Sequence, residues 1–173
     1  SATVEIDPNL AEAFYRVLRI PPPPLFVADF EDGMGEWTVG VIDGLDATDT
    51  SWEFGTPTAG PGVAFSGINA VGTDLDADYV DATGIFLRSP VIDLTGIARP
   101  KLEFQYFLEA GDGEGGRLNV LEADGLIIDT VGIFDGSEQG VTEWTTHTVR
   151  LPELNRPVII EFELLSEVDD AAD

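Results

Sequence analysis

From Leu25 onward, apolar residues recur at every second position in short runs separated by Gly, Asp, Pro and Thr. Successive side chains of an extended strand point to opposite faces, so a period of two marks half-buried β-strands rather than helices. The run 101–109 is the clearest case. Leu102, Phe104, Tyr106 and Leu108 fall on one face and Glu103, Gln105 and Glu109 on the other, with Phe107 alone interrupting the polar side. Val158, Ile160, Phe162 and Leu164 repeat the pattern against Glu161 and Glu163, and Trp144, Thr146 and Thr148 oppose His147 and Val149. Each run is expected to form a strand with one face in water. Between the runs 117–121 and 127–131 lies Ala123-Asp124-Gly125. Asp-Gly supplies the positive φ angles of a tight hairpin turn.

Short strands with turn signals at these intervals predict an all-β fold, an antiparallel two-sheet β-sandwich of jelly-roll type over residues 25–173. The 173 residues suffice for one domain with a proper core. Residues 1–24 read differently. Asp7-Pro8 places a capping carboxylate before a proline at the first helical position, and Leu10, Phe14, Val17 and Leu18 recur at helical spacing, which predicts a short N-terminal helix. Pro21, Pro22, Pro23 and Pro24 end it and form a stiff polyproline linker.

Composition narrows the partners. Eight basic against thirty-three acidic side chains give a formal charge of −25, and Lys101 is the only lysine. Polyphosphate binding draws its affinity from Lys and Arg, so nucleic acid and anionic membrane surfaces are excluded as partners. No apolar run approaches the ~20 residues of a membrane-spanning helix, so membrane insertion is not expected. With 43% hydrophobic residues the chain has enough apolar surface to fold despite its charge. Its acidity suits a salt-adapted protein. Stability is therefore expected to climb from low salt to ~1 M NaCl as repulsion is screened, and a melting curve flat or falling in salt removes that reading. There is no cysteine, which excludes disulfides, thiolate metal sites and a Cys nucleophile.

The strongest chemical feature is the stretch 74–81, where Asp74, Asp76, Asp78 and Asp81 alternate with other residues. Alternate carboxylates in a loop can converge on one hard cation such as Ca2+, although Tyr79 at the sixth position and Ile85 at the twelfth exclude an EF-hand. A solvated acidic loop is the plain alternative. Trp52 and Tyr79, in polar surroundings, are candidates for stacking on a polysaccharide ligand, with burial in the core as the alternative for each. Trp37 and Trp144 sit in strand patterns and are expected in the core. The single histidine, His147, lies on a strand with no motif for a triad nearby, so a surface strand position and no enzymatic activity are expected. The Gly-rich stretch 111–116 carries no phosphate-loop spacing and reads as a strand connection.

The order of motifs resembles the MAM-like and choice-of-anchor jelly-roll domains of bacterial extracellular proteins. The likeness is carried by Asp29-Phe30-Glu31-Asp32 and Trp37, then Leu87-Arg88-Ser89-Pro90-Val91-Ile92-Asp93-Leu94, then Leu102-Glu103-Phe104, Trp144 and the closing run 158–162. The resemblance implies a laminin-G-like or lectin-like sandwich, extracellular or at the cell surface, appended to a larger protein whose export signal lies elsewhere. It implies contacts with a protein partner or a neighbouring domain, and it adds Glu31 to the calcium ligands. Such domains finish with Gly-Trp-Tyr-Ile-Asp-Asp-Val, which this sequence does not contain. The last strand, with the aspartate that usually partners Glu31, is therefore expected to be missing or supplied otherwise.

Overall fold

A computed structural model describes residues 21–45, 50–79 and 83–166. The expected N-terminal helix, the acid at Asp81 and the last residues of the chain lie outside these ranges. Residues 21–24 carry no regular hydrogen-bonded structure and are exposed. The described elements are β1 (Thr38–Val41), β2 (Trp52–Gly55), β3 (Ala70–Thr73), β4 (Gly84–Arg88), β5 (Ile92–Asp93), β6 (Lys101–Leu108), β7 (Gly115–Leu121), β8 (Ile127–Asp135), the single turn α1 (Gly136–Gln139), β9 (Val141–Arg150) and β10 (Pro157–Leu165). The protein is all-β, and its strand pairings are antiparallel.

The largest sheet runs β1-β4-β10-β7-β8, with β5 beside β10 beyond the end of β4. The other strands form two pairs, β2 with β3 and β6 with β9. Pro90 interrupts the β4 edge because it has no amide to donate. There the Ser89 hydroxyl accepts from the Ile160 amide at 2.9 Å, and the Ser89 amide donates to the Ile160 carbonyl at 2.8 Å. The ladder therefore continues into β5.

Alternation places Leu118 and Val120 of β7 and Val158 and Ile160 of β10 on one face, where they form a buried cluster with Leu94 and Leu151. Leu102 and Phe104 of β6 and Val149 of β9 pack against it. The hairpin at Asp124-Gly125 forms as expected, with Gly125 at φ 92° and the Glu122 amide donating to the Leu126 carbonyl at 2.8 Å. β8 then departs from a period of two. Register breaks opposite Leu118/Asn119 and Val120/Leu121 turn Ile128, Val131 and Phe134 toward the core at a spacing of three, while Ile127 and Ile133 are exposed. An extra residue in one strand of a pair reverses the facing of the residues after it, which is how bulges produce this spacing.

Three expectations are corrected. His147 is only partly exposed: its ring lies 5.1 Å from that of Phe134 and 5.4 Å from that of Phe104, within the aromatic cluster that also holds Tyr106. Trp144 sits on the opposite face of the β6–β9 pair. It lies beside Phe107 at 6.3 Å and donates its indole N–H to the Val63 carbonyl at 2.8 Å. The Phe107 that interrupts the polar face is thereby accounted for, since Gly60 of the same covering loop approaches its ring.

The third correction concerns β10, whose expected wet face is dry. Glu161 and Glu163 are both buried, because β10 is central and neighbours on both sides close over it. Arg88 of β4 donates to Glu161 at 2.6 Å from one side and Asn119 of β7 at 3.0 Å from the other, while the Thr130 hydroxyl donates to Asn119 at 2.7 Å. This polar row crosses four strands with its hydrogen bonds made. Burial, reinforced by the charge of Glu161, holds the Glu163 carboxyl above its ordinary pKa. A carboxyl raised in the folded state favours folding while protonated, and that contribution is lost as pH climbs from the unfolded value through the folded one. Glu163→Gln is therefore expected to melt above the parent at pH 7 and level with it near pH 4; a variant less stable at pH 7 contradicts this.

Candidate functional site

Among the described residues, the apolar face of the large sheet is only partly covered. Between the β2–β3 pair and the β6–β9 pair lies a cleft of about 1520 Å³. Its floor includes Ile160, Phe162 and Leu164 of β10, and its walls include the whole of β3 and β6 and the extended segment 21–28. In that segment Phe26, together with Phe30 just beyond it, packs on Trp37, the two rings standing at 6.2 and 5.3 Å, and Trp37 reaches Phe162 at 6.5 Å. Trp37 thus joins the wall from a position just before β1. Leu25 and Val27 of the same segment are exposed.

Trp52 begins β2, opposite Thr73 of β3, and borders the cleft. Its indole Nε1 is buried without a hydrogen-bond acceptor, an arrangement that costs about 1–3 kcal/mol. Tyr79 also borders the cleft, where its hydroxyl donates to the Glu114 carboxylate at 2.5 Å. The same carboxylate accepts from the Gly111 amide at 3.0 Å, so the contact ties the 74–79 loop to the glycine-rich connection before β7. Glu114 had no sequence signal, since it is one acid among many and its partner lies 35 residues away.

Two of the expected calcium ligands, Glu31 and Asp74, have separate hydrogen-bond partners. The Glu31 carboxylate accepts from the backbone amides of Ile68 and Asn69, each at 3.0 Å, and so anchors the loop before β3. Gly67, at φ 65°, permits that approach: a Cβ there would fall 2.3 Å from the Glu31 carboxylate. Asp74 accepts from the Thr50 hydroxyl at 3.0 Å. Asp76 and Asp78 are exposed on the same loop. Among the described residues no three carboxylate or imidazole groups are placed to share a metal ion. Glu31 thus serves the 67–69 turn, while the Asp74 carboxylate meets Thr50.

The described residues thus define an all-β protein with a partly open apolar interior. No protein-family model matches the chain, and no solved structure matches it. Among curated proteins it is similar to Bacillopeptidase F of Bacillus subtilis (strain 168), with 27% identity over 124 residues. That stretch is 71% of this chain and 8% of the relative, so the chain spans less than a tenth of the curated protein it matches.

Proposed function

We propose that this chain is a non-catalytic accessory module of a larger secreted or cell-surface protein, and that it makes protein–protein or architectural contacts with a partner or a neighbouring domain. The observation that carries this reading is the apolar cleft. Contiguous apolar surface on a protein of charge −25 is costly to leave in water and marks a place of contact. The match to a small part of a much longer relative supports a modular use. In this reading the large sheet and the β6–β9 pair are the two layers of a jelly-roll sandwich, supported by the packing of Leu118 and Val120 against Leu102 and Phe104. Calcium stabilisation of the 74–78 loop belongs to the same proposal and is supported by the alternating acids of the sequence, not by an assembled cage. A melting temperature equal in CaCl2 and in EDTA removes the calcium component.

A second reading, polysaccharide binding, is favoured by Trp52 and Tyr79, aromatic residues that both border the cleft. Affinity electrophoresis in gels of insoluble and soluble polysaccharides separates the two. Unretarded migration on all of them is the expected result. Retardation that Trp52→Ala abolishes would overturn the contact reading and put sugar binding in its place.

A further inference from the structure

We infer that the cleft is a strand-acceptor slot, filled by an extended segment of a partner polypeptide that hydrogen-bonds to β3 on one side and β6 on the other. This rests on the contact reading and names its partner chemistry. β3 pairs with β2 and β6 pairs with β9, and β3 and β6 are not joined to each other. All four residues of β3 and all eight of β6 border the one cleft. Successive residues of a strand point to opposite faces, so a strand that borders a cleft with every residue presents its edge to it rather than one face. Two ladder edges, each a row of amides and carbonyls, therefore flank the same space. Among the described residues no strand pairs with either of these edges, and edges of this kind are templates for an added strand.

The space between them suits side chains as well as backbone. Phe162 on the floor and Phe104 on the wall, both part-buried, offer apolar contact to side chains of an incoming strand. Only a polypeptide repeats donors and acceptors at the ~3.4 Å spacing that the two edges require, which excludes sugars and lipids as the natural occupant. Charge selects among polypeptides. Asp74, Asp78, Glu103, Glu109 and Glu163 border the cleft against Arg99, Lys101 and Arg117, and the whole chain carries −25. A second copy brings the same −25 and is repelled, whereas a strand with apolar residues alternating with Lys or Thr is attracted. The occupant is therefore an apolar-alternating, basic segment of a different protein.

Backbone amide hydrogen exchange on the full 173-residue chain tests this, with the synthetic peptide acetyl-KVTVKVTVK-amide as probe. The expected result is one-to-one binding and at least tenfold slower exchange at residues 70–73 and 101–108. The same peptide N-methylated at every residue, which removes the donors toward both edges but keeps the side chains, should give no protection. Equal protection by the N-methylated peptide overturns the proposal, since the cleft would then be a side-chain groove. No protection at millimolar peptide also overturns it. Slow exchange at both edges before any peptide is added overturns the partner assignment: sedimentation as a dimer would give the slot to a second copy, and as a monomer to the chain's own residues. An arm with mixed cello-, xylo- and laminari-oligosaccharides separates this inference from the reading beneath it. Protection of the cleft by sugars would sink the contact reading itself, whereas failure of the peptide alone leaves that reading standing.

Discussion

Leu118→Ala is expected to lower the free energy of unfolding by about 3–4 kcal/mol, read as a fall in the urea midpoint at unchanged slope. Leu118 has no exposed surface and lies in the cluster where β7 and β10 meet β6 and β9. Truncation there removes the transfer free energy of the side chain and leaves a cavity that central strands on both sides cannot close. Ile133→Ala on the neighbouring β8 is the control. Ile133 lies opposite Arg117 in the ladder but is 69% exposed, so its loss should cost less than about 0.5 kcal/mol. Equal costs for the two would mean that the inner face of the large sheet has been assigned to the wrong residues.

Arg88→Met should be the most costly change among the charged residues, at about 2–3 kcal/mol. The Glu161 side chain is 2% exposed and Arg88 is its cationic partner, so removing the guanidinium leaves a buried carboxylate held by the Asn119 amide. The figure sits below the range for a fully buried pair because the Arg88 side chain is 31% exposed and partly screened. Methionine keeps the aliphatic stem but also removes the guanidinium from the Phe86 ring, where its carbon stands 3.9 Å from the centroid, so the loss includes that contact. Adding Glu161→Gln to Arg88→Met should recover most of the loss, because a neutral amide can still meet Asn119. A double-mutant cycle with a coupling below about 0.5 kcal/mol would show that the row is surface decoration rather than part of the core.

Most strands could be read from the sequence, and particular residues show why. Leu102, Phe104, Tyr106 and Leu108 in β6, and Val158, Ile160, Phe162 and Leu164 in β10, alternate because each strand has an apolar inner face, and that is a local property of extended backbone. The Asp124-Gly125 turn was legible for the same reason. In the candidate site, Trp52, Tyr79, Asp74 and Asp78 do come to border one cleft. Their roles were not legible. Tyr79 holds Glu114, Asp74 holds Thr50 and Glu31 holds the 67–69 turn, and each of these pairings joins residues far apart in the chain. In a sequence with thirty-three acids, no spacing distinguishes a carboxylate that ligates from one that anchors a loop.

The amino-acid order by itself determined that the chain is all-β, where the longer strands run and which of their faces is apolar, since a two-residue period and turn chemistry act between near neighbours. Only the tertiary structure decided that Glu161 is dry, that His147 lies among aromatic rings, that Trp144 faces away from the core, and that the edges of β3 and β6 border one cleft. Each of these depends on which strand becomes central and which stays at an edge. That choice is made by pairing between distant segments, and a local pattern carries no record of it.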